Sequence, residues 1–257
     1  MRVFHMSGAG NDFMVIDARG QDLDFATLAR TVCAVTHADG FMAVDVSEIA
    51  DFRLHFYNSD GSRGEMCGNG ARCICKFAYD QGIVGAEMTV QTDAGVVRGW
   101  RLNDGCYRVQ LNNPSVLDMH RRADAAYVEL GDPGIPHSVT EIPGLSWDMT
   151  ETLRDRGKAL RYTPEFPKGA NVSFYTLLGE GHVRVLTYER GVEDYTLACG
   201  TGCASVAVVL WAQGRLPGGV LTAENRGGTL TVTVSGCTQV EKLLLEGPAE
   251  LLNVYEL

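Results

Sequence analysis

The sequence predicts an α+β fold made by duplication, two similar domains that each wrap several short strands around one long buried helix. Three observations carry that prediction. The phrase Cys-Gly-x-Gly occurs twice, in MCGNGARC (66–73) and in ACGTGCAS (198–205). Each copy opens a helical stretch that stops at a glycine, Gly82 in DQG and Gly214 in AQG, both 15 residues past the cysteine. Alternating strand-like segments then follow at matched offsets, with Gly95 lying 28 residues after Cys67 and Gly228 lying 29 after Cys199.

Taken in chain order, the N-terminal MRVFHMSGAGNDFMVID lacks the long apolar core of a signal peptide. In the first copy Ala71, Ile74, Cys75 and Ala78 keep helical spacing. MTVQTDAGVVRGWRL then alternates as strands do, and YRVQLNNPSVL follows it. A boundary falls near PSVLDMHRRAD, which gives a first domain of 1–118 and a second of 119–249. In the second copy ASVAVVLWA is apolar nearly all round, so that helix is expected to be buried on every side. VLTAENRGGTLTVTV and KLLLEGPAELL repeat the strand pattern of the first half, with Pro248 answering Pro114. The last segment, 250–257, is expected to return to the first domain as a strand.

The composition bounds the function. With 257 residues and 45% apolar content, the chain can build one large core or two of about 130 residues. The formal charge is −10 and no Lys/Arg cluster stands out, which argues against nucleic acid as a partner. The longest apolar run, VAVVLWA at 206–212, is too short to cross a bilayer. Eight cysteines in a chain this long, without an export signal, point to free thiols in the cytoplasm.

The repeated cysteines have a definite local chemistry. Each precedes Gly-x-Gly and a helix, so bare backbone N–H groups at the helix start can bind a carboxylate. The same helix end is expected to lower the thiol's pKa from about 8.5 toward neutrality. A single such phrase is an ordinary helix-start turn, and duplication alone would preserve its glycines. Two thiols beside two carboxylate sockets suit inversion of a stereocentre. One thiol removes a proton from Cα, and the other returns a proton to the opposite face. N–H groups aimed at the carboxylate would stabilise the carbanionic transition state without an electron-sink cofactor.

With MSGAGNDF (6–13), NSDGS (58–62), CGNGARC (67–73), GANVSF (169–174), YERGVEDYTLACGTG (188–202) and the closing GP at 247–248, the chain resembles the diaminopimelate epimerases over nearly its whole length. The resemblance implies a cofactor-independent, two-base amino-acid epimerase with no metal, built of two pseudo-symmetric domains, each a barrel-like sheet around a central helix. It implies Cys67 and Cys199 as the acid/base pair, and Gly68-Asn69 and Gly200-Thr201 as the carboxylate-binding turns. Asn11, Asn58, Asn171, Glu189 and Arg190 match substrate-binding positions, which fit a small molecule with two amino-acid ends. His137 and Glu189 are then candidates for tuning Cys67 and Cys199 respectively.

Three departures accompany the resemblance. The segment VTHADG (35–40) lacks the family's usual Gly-Ile-Gly run, Gly40 stands where some members have a substrate-binding Gln, and Ile135 replaces the Asn of a Gly-Asn-Pro-His motif in GIPHS (134–138). A racemase of another amino acid is therefore the alternative enzyme, and a thiol-redox or zinc-binding protein the alternative of another class. Cys73-x-Cys75 is poor zinc spacing, and Cys33, Cys106, Cys203 and Cys237 read as structural. A homodimer is allowed for, and oxidation is expected to inactivate through a Cys67–Cys199 disulfide if the two sulfurs are close.

Overall fold

The helices that follow the two cysteines end as their sequences require. The computed structural model describes residues 1–64 and 68–256. In it, Gly82 and Gly214 take left-handed backbone angles (φ 67° and 68°), and both copies close with the same carbonyl pattern. Ile83 N–H donates to Ala78 O and Gly82 N–H to Tyr79 O, while Arg215 N–H donates to Leu210 O and Gly214 N–H to Trp211 O. This double closure needs positive φ at the glycine, which an L side chain resists.

The chain divides into two compact units, Met1–Gln110 with Glu246–Leu257, and Leu111–Leu245. The first contains β1 (Arg2–Gly8), β2 (Asn11–Asp17), α1 (Phe25–Thr36), β3 (Gly40–Asp45), β4 (Phe52–Asn58), α2 (Gly68–Asp80), β5 (Glu87–Thr92), β6 (Gly95–Arg101) and β7 (Cys106–Leu111, whose last residue falls past the division). The second contains β8 (Pro114–Asp118), β9 (Ala126–Leu130), β10 (Ile135–Glu141), α3 (Thr150–Arg161), β11 (Asn171–Gly179), β12 (His182–Tyr188), α4 (Gly200–Ala212), β13 (Val220–Asn225) and β14 (Gly228–Ser235). β15 (Lys242–Pro248) runs through the division, and β16 (Glu250–Glu256) belongs to the first unit, where it pairs antiparallel with β1.

The pairing within each unit follows one plan. In the first, β1–β2 is antiparallel, β2–β3 parallel, β3–β4 antiparallel, β4–β5 parallel and β5–β6 antiparallel. In the second, β9–β10, β10–β11, β11–β12, β12–β13 and β13–β14 repeat that series. Each parallel pair needs a crossover connection, and a helix supplies it. The sequence reading allots each half one helix. The structure gives each a second, α1 and α3, supplying the first crossover.

The two helices of a unit cover opposite faces of its sheet. In the first unit α1 packs on Val3, Met14, Ile16, Phe41 and Ala43. On the other face α2 meets Phe13 and Met42, which lie within van der Waals reach of Gly70. Phe13–Ile16 are consequently all buried, a continuous apolar run instead of an alternation. In the second unit α3 covers Tyr127, Val172, Phe174, Leu186 and Tyr188, and α4 takes the opposite face. Cys203–Leu210 are 0–2% exposed, so the helix that is apolar all round is buried all round.

Candidate active site

Within each unit the start of the cysteine helix meets the same ends of the strands. Strand direction explains why. The end of β1, the start of β2, the start of β3 and the end of β4 lie side by side, as the register pairs Gly8 with Asn11, Phe13 with Gly40, and Gly40 with Asn58. Asn11 and Asn58 therefore lie at the same end of their strands, and Gly68 and Asn69 open α2. In the second unit the matching register pairs Leu130 with Ile135 and His137 with Asn171. Glu189 and Arg190 follow the end of β12, and Gly200-Thr201 open α4. Ile135 thus occupies the register position that Asn11 holds in the first unit, and His137 that of Phe13. Cys67 lies outside the described residues.

Cys199 is the residue that starts α4. Its backbone is extended (φ −115°, ψ 107°), and its Sγ accepts the Gly202 N–H at 3.4 Å and lies 3.5 Å from Thr201 Oγ1. Cys199 is only 7% exposed. Burial and then the charge of Glu189 push its pKa well above the ordinary range, against a smaller pull from Thr201 and Gly202. This corrects the expectation of a thiol acidified by its helix end. The hydrogen bonds with Thr201 and Gly202 at the helix start do not offset the loss of water and a nearby carboxylate. Burial and Glu189 together favour the protonated form of the Cys199 thiol.

Gly202 shows why the motif needs its second glycine. A Cβ there would stand 2.7 Å from both Ser173 Oγ and Thr187 Oγ1. Those hydroxyls, on β11 and β12, hydrogen-bond each other at 3.1 Å. The first turn of α4 can approach the sheet this closely only without a side chain.

The remaining polar groups of the second unit are held by their neighbours. Thr196 Oγ1 donates to Glu189 Oε1 at 2.5 Å, and the Glu189 N–H donates to Asp194 O at 3.0 Å. Asn171 Oδ1 accepts the Arg190 N–H at 2.9 Å while its Nδ2 donates to Pro136 O at 3.2 Å. Arg190 Nη1 donates to Lys168 O at 3.3 Å. His137 is fully buried, and neither ring nitrogen has a hydrogen-bond partner among the described residues. Burial, with Arg190 nearby, pushes its pKa down to about 3, so the imidazole is neutral.

In the first unit Asn11 Nδ2 donates to Asp39 Oδ2, and that carboxylate also accepts the Asp12 N–H at 3.0 Å. Burial raises the Asp39 pKa, partly offset by these donors. Asn58 Nδ2 donates to Ser62 Oγ at 2.9 Å. Asn69 is 2% exposed, and its Oδ1 accepts Arg72 Nη2 at 3.0 Å. At Gly40 a Cβ would meet Phe56 Cε2 and Tyr57 O at 2.9 Å, so the Phe56 ring fills the space a longer side chain would need. Sequence reasoning does not single out Asp39, Arg72, Thr196 or the Ser173–Thr187 pair. For Arg72 a signal exists: it lies inside the repeated motif, and the second copy has Ala204 there.

The diaminopimelate epimerase family model matches residues 3–115 and 131–252. The chain belongs to the diaminopimelate epimerase family. Among relatives of that name, the one from Aquifex aeolicus is 37% identical, over 91% of this chain and 90% of its own length. The one from Chlorobaculum tepidum is 34% identical, over 95% of this chain and 96% of its own. Membership makes the chain an isomerase acting on a small molecule. The fold is shared more widely. A phenazine biosynthesis protein from Bacillus anthracis superposes with a TM-score of 0.77 at 14% identity, covering all of this chain and 98% of its own. A hydroxyproline epimerase from Agrobacterium vitis, with bound trans-4-hydroxy-L-proline, gives 0.71 at 16%, covering 99% and 91%. Among the described residues no helix is long and apolar enough to cross a membrane, and no three His, Cys, Asp or Glu side chains gather as metal ligands.

Proposed function

We propose that this member of the diaminopimelate epimerase family interconverts LL- and meso-diaminopimelate in the cytoplasm, with Cys67 and Cys199 as the two proton carriers. The observation that carries the reading is the Cys199 thiol at the start of α4, buried and accepting the Gly202 N–H. Cys67 and Cys199 act on opposite faces of Cα, one removing a proton as thiolate while the other returns one as thiol. The reverse reaction exchanges the roles. The helix-start N–H groups of 68–69 and 200–201 bind the carboxylate next to Cα and stabilise the charge that develops as the carbanion forms. Arg190 pairs with the distal carboxylate and Glu189 with an ammonium, so both amino-acid ends are held. The reaction in this reading uses no cofactor.

The test is epimerisation of pure LL-diaminopimelate, followed by chiral chromatography, beside a screen of common amino acids. Cys67→Ala and Cys199→Ala should each abolish turnover in both directions. Near-normal turnover in either variant would refute the two-thiol reading, and racemisation of another amino acid with diaminopimelate ignored would refute the substrate. A homodimer is part of the proposal. Sedimentation of the purified protein checks it.

A further inference from the structure

Glu193 holds a backbone conformation that its side chain resists. Its φ is 58°, in the left-handed region where glycine is usual. Its carboxylate offsets that cost. Oε1 accepts the Gly191 N–H at 3.0 Å and Arg161 Nε at 3.1 Å, and Arg161 Nη2 lies 3.1 Å from the same atom. The Glu193 N–H donates to Glu189 O at 2.8 Å and the Glu189 N–H to Asp194 O at 3.0 Å, so 189–194 closes on itself as a tight turn.

Helix α3 fastens that turn along one face. Arg154, Gly157 and Arg161 recur at the three- and four-residue spacing that stacks side chains one above another. Arg154 Nη1 donates to Asp194 Oδ1 at 2.7 Å, and Tyr195 Oη donates to Leu153 O at 3.0 Å. Gly157 leaves room for Tyr188 and Tyr195, whose nearest atoms would stand 3.2 Å from a Cβ. The Arg161 side chain is 13% exposed, which spares its pair with Glu193 much of the screening that weakens surface ion pairs. Arg161 also borders the segment before Asn171, since its carbonyl accepts the Ala170 N–H at 3.3 Å. Asn171 in turn accepts the Arg190 N–H at 2.9 Å.

The turn leads directly to the thiol. Thr196 donates from its N–H to Thr187 O at 3.2 Å and from Oγ1 to Glu189 Oε1 at 2.5 Å, folding the chain back toward Cys199. Thr187, two residues before Glu189, abuts Gly202, whose N–H donates to Cys199 Sγ. The Glu189 charge consequently bears on that thiol and disfavours its thiolate.

We propose that Arg161 and Glu193 are positioning residues whose ion pair locks the 189–194 turn against α3 and so fixes the Glu189 carboxylate beside the Cys199 thiol. The proposal rests on the reading of Cys199 as a proton carrier and of Glu189 as a substrate residue, and its test is made without substrate.

The experiment follows iodoacetamide labelling of Cys199 in the full chain at fixed neutral pH, read by peptide mass spectrometry. Glu193→Ala should free the Glu189 carboxylate from its place and speed labelling about 5-fold or more. In a Glu189→Gln background the same substitution should change the rate by less than about 1.5-fold, because both act through one carboxylate. Arg161→Met should behave as Glu193→Ala does. Glu193→Gln keeps an acceptor for Gly191 and Arg161 and should stay within about 2-fold of the parent. Glu193→Gly takes the place of Glu193→Ala if that variant does not fold, because glycine adopts positive φ without penalty. Equal acceleration in both backgrounds would mean general loosening of the turn, and an unchanged or slower rate would mean that the turn stands without the pair; either overturns the positioning role. Epimerisation of LL-diaminopimelate separates this from the proposed function: if Glu189→Gln keeps kcat/KM within about threefold of the parent, the reading of Glu189 as a substrate residue fails while the labelling result stands.

Discussion

Gly202→Ala tests how tightly the start of α4 is fitted to its sheet. The added Cβ would lie 2.7 Å from Ser173 Oγ and 2.7 Å from Thr187 Oγ1, closer than such contacts occur. Neither hydroxyl can swing away without breaking their mutual 3.1 Å hydrogen bond in a buried setting. Overpacking of this kind costs about 1–3 kcal/mol. Alanine returns about 1 kcal/mol through its greater helix propensity, leaving a net destabilisation of about 0–2 kcal/mol. The relief for the clash is a shift of the turn that carries the Cys199 cap, and a misplacement of about 1 Å lowers turnover about 100-fold. Urea unfolding followed by circular dichroism gives the first number and epimerisation of LL-diaminopimelate the second. A control isolates the cause. In a Ser173→Ala, Thr187→Ala background both contacts are cleared with no orphaned partner, and Gly202→Ala should become neutral or slightly stabilising. A Gly202→Ala variant as stable and as active as its parent would refute this reasoning.

Two titrating groups give further expectations. Glu189→Gln removes a charge that disfavours the Cys199 thiolate, so the thiol pKa should fall and iodoacetamide should label Cys199 faster at fixed neutral pH, read by peptide mass spectrometry; slower or unchanged labelling would contradict the assignment. His137, with an unfolded pKa near 6.5 and a folded value of about 3, binds more protons when unfolded, so stability is present above about pH 6.5 and is lost as pH falls through the window below it. At about pH 5 the loss is about 2 kcal/mol, and His137→Phe, which copies the Phe13 of the other unit, should unfold with a flatter acid limb; an unchanged limb would show that His137 is not the group responsible.

The parts of the fold that are legible in the sequence are those set by local rules. Gly82 and Gly214 mark helix ends because each helix needs a left-handed residue there, and the all-apolar ASVAVVLWA is a helix buried on every side. The duplication is legible because the glycines and cysteines recur at fixed offsets. The second helix of each unit is not. TETLRDRGKALR buries only Leu153, Gly157 and Leu160, a narrow stripe that its charges obscure, and α1 lies over a sheet face whose burial on both sides hides strand alternation. The chemistry of the site divides in the same way. The cap geometry of Cys199 follows from Cys-Gly-x-Gly, but its raised pKa comes from packing and from Glu189, ten residues upstream and close only after the Arg190–Thr196 turn has folded back. Arg72 escapes a sequence reading because an arginine inside a helix is usually solvated, and only its position against Pro248, 176 residues away, makes it a buried tie.

The central claim is that two separate thiols work on opposite faces of one carbon. It is tested most directly by isotope wash-in. Pure LL-diaminopimelate is turned over in heavy water, the reaction is stopped at its earliest measurable points, and substrate and product are separated for mass spectrometry. The account predicts product carrying deuterium at the inverted carbon, delivered from the exchanged thiol, while the remaining substrate stays largely protiated. Early product that is largely protiated at that carbon would mean that one group carries the same proton across both faces, and would contradict the assignment of Cys67 and Cys199 as a pair.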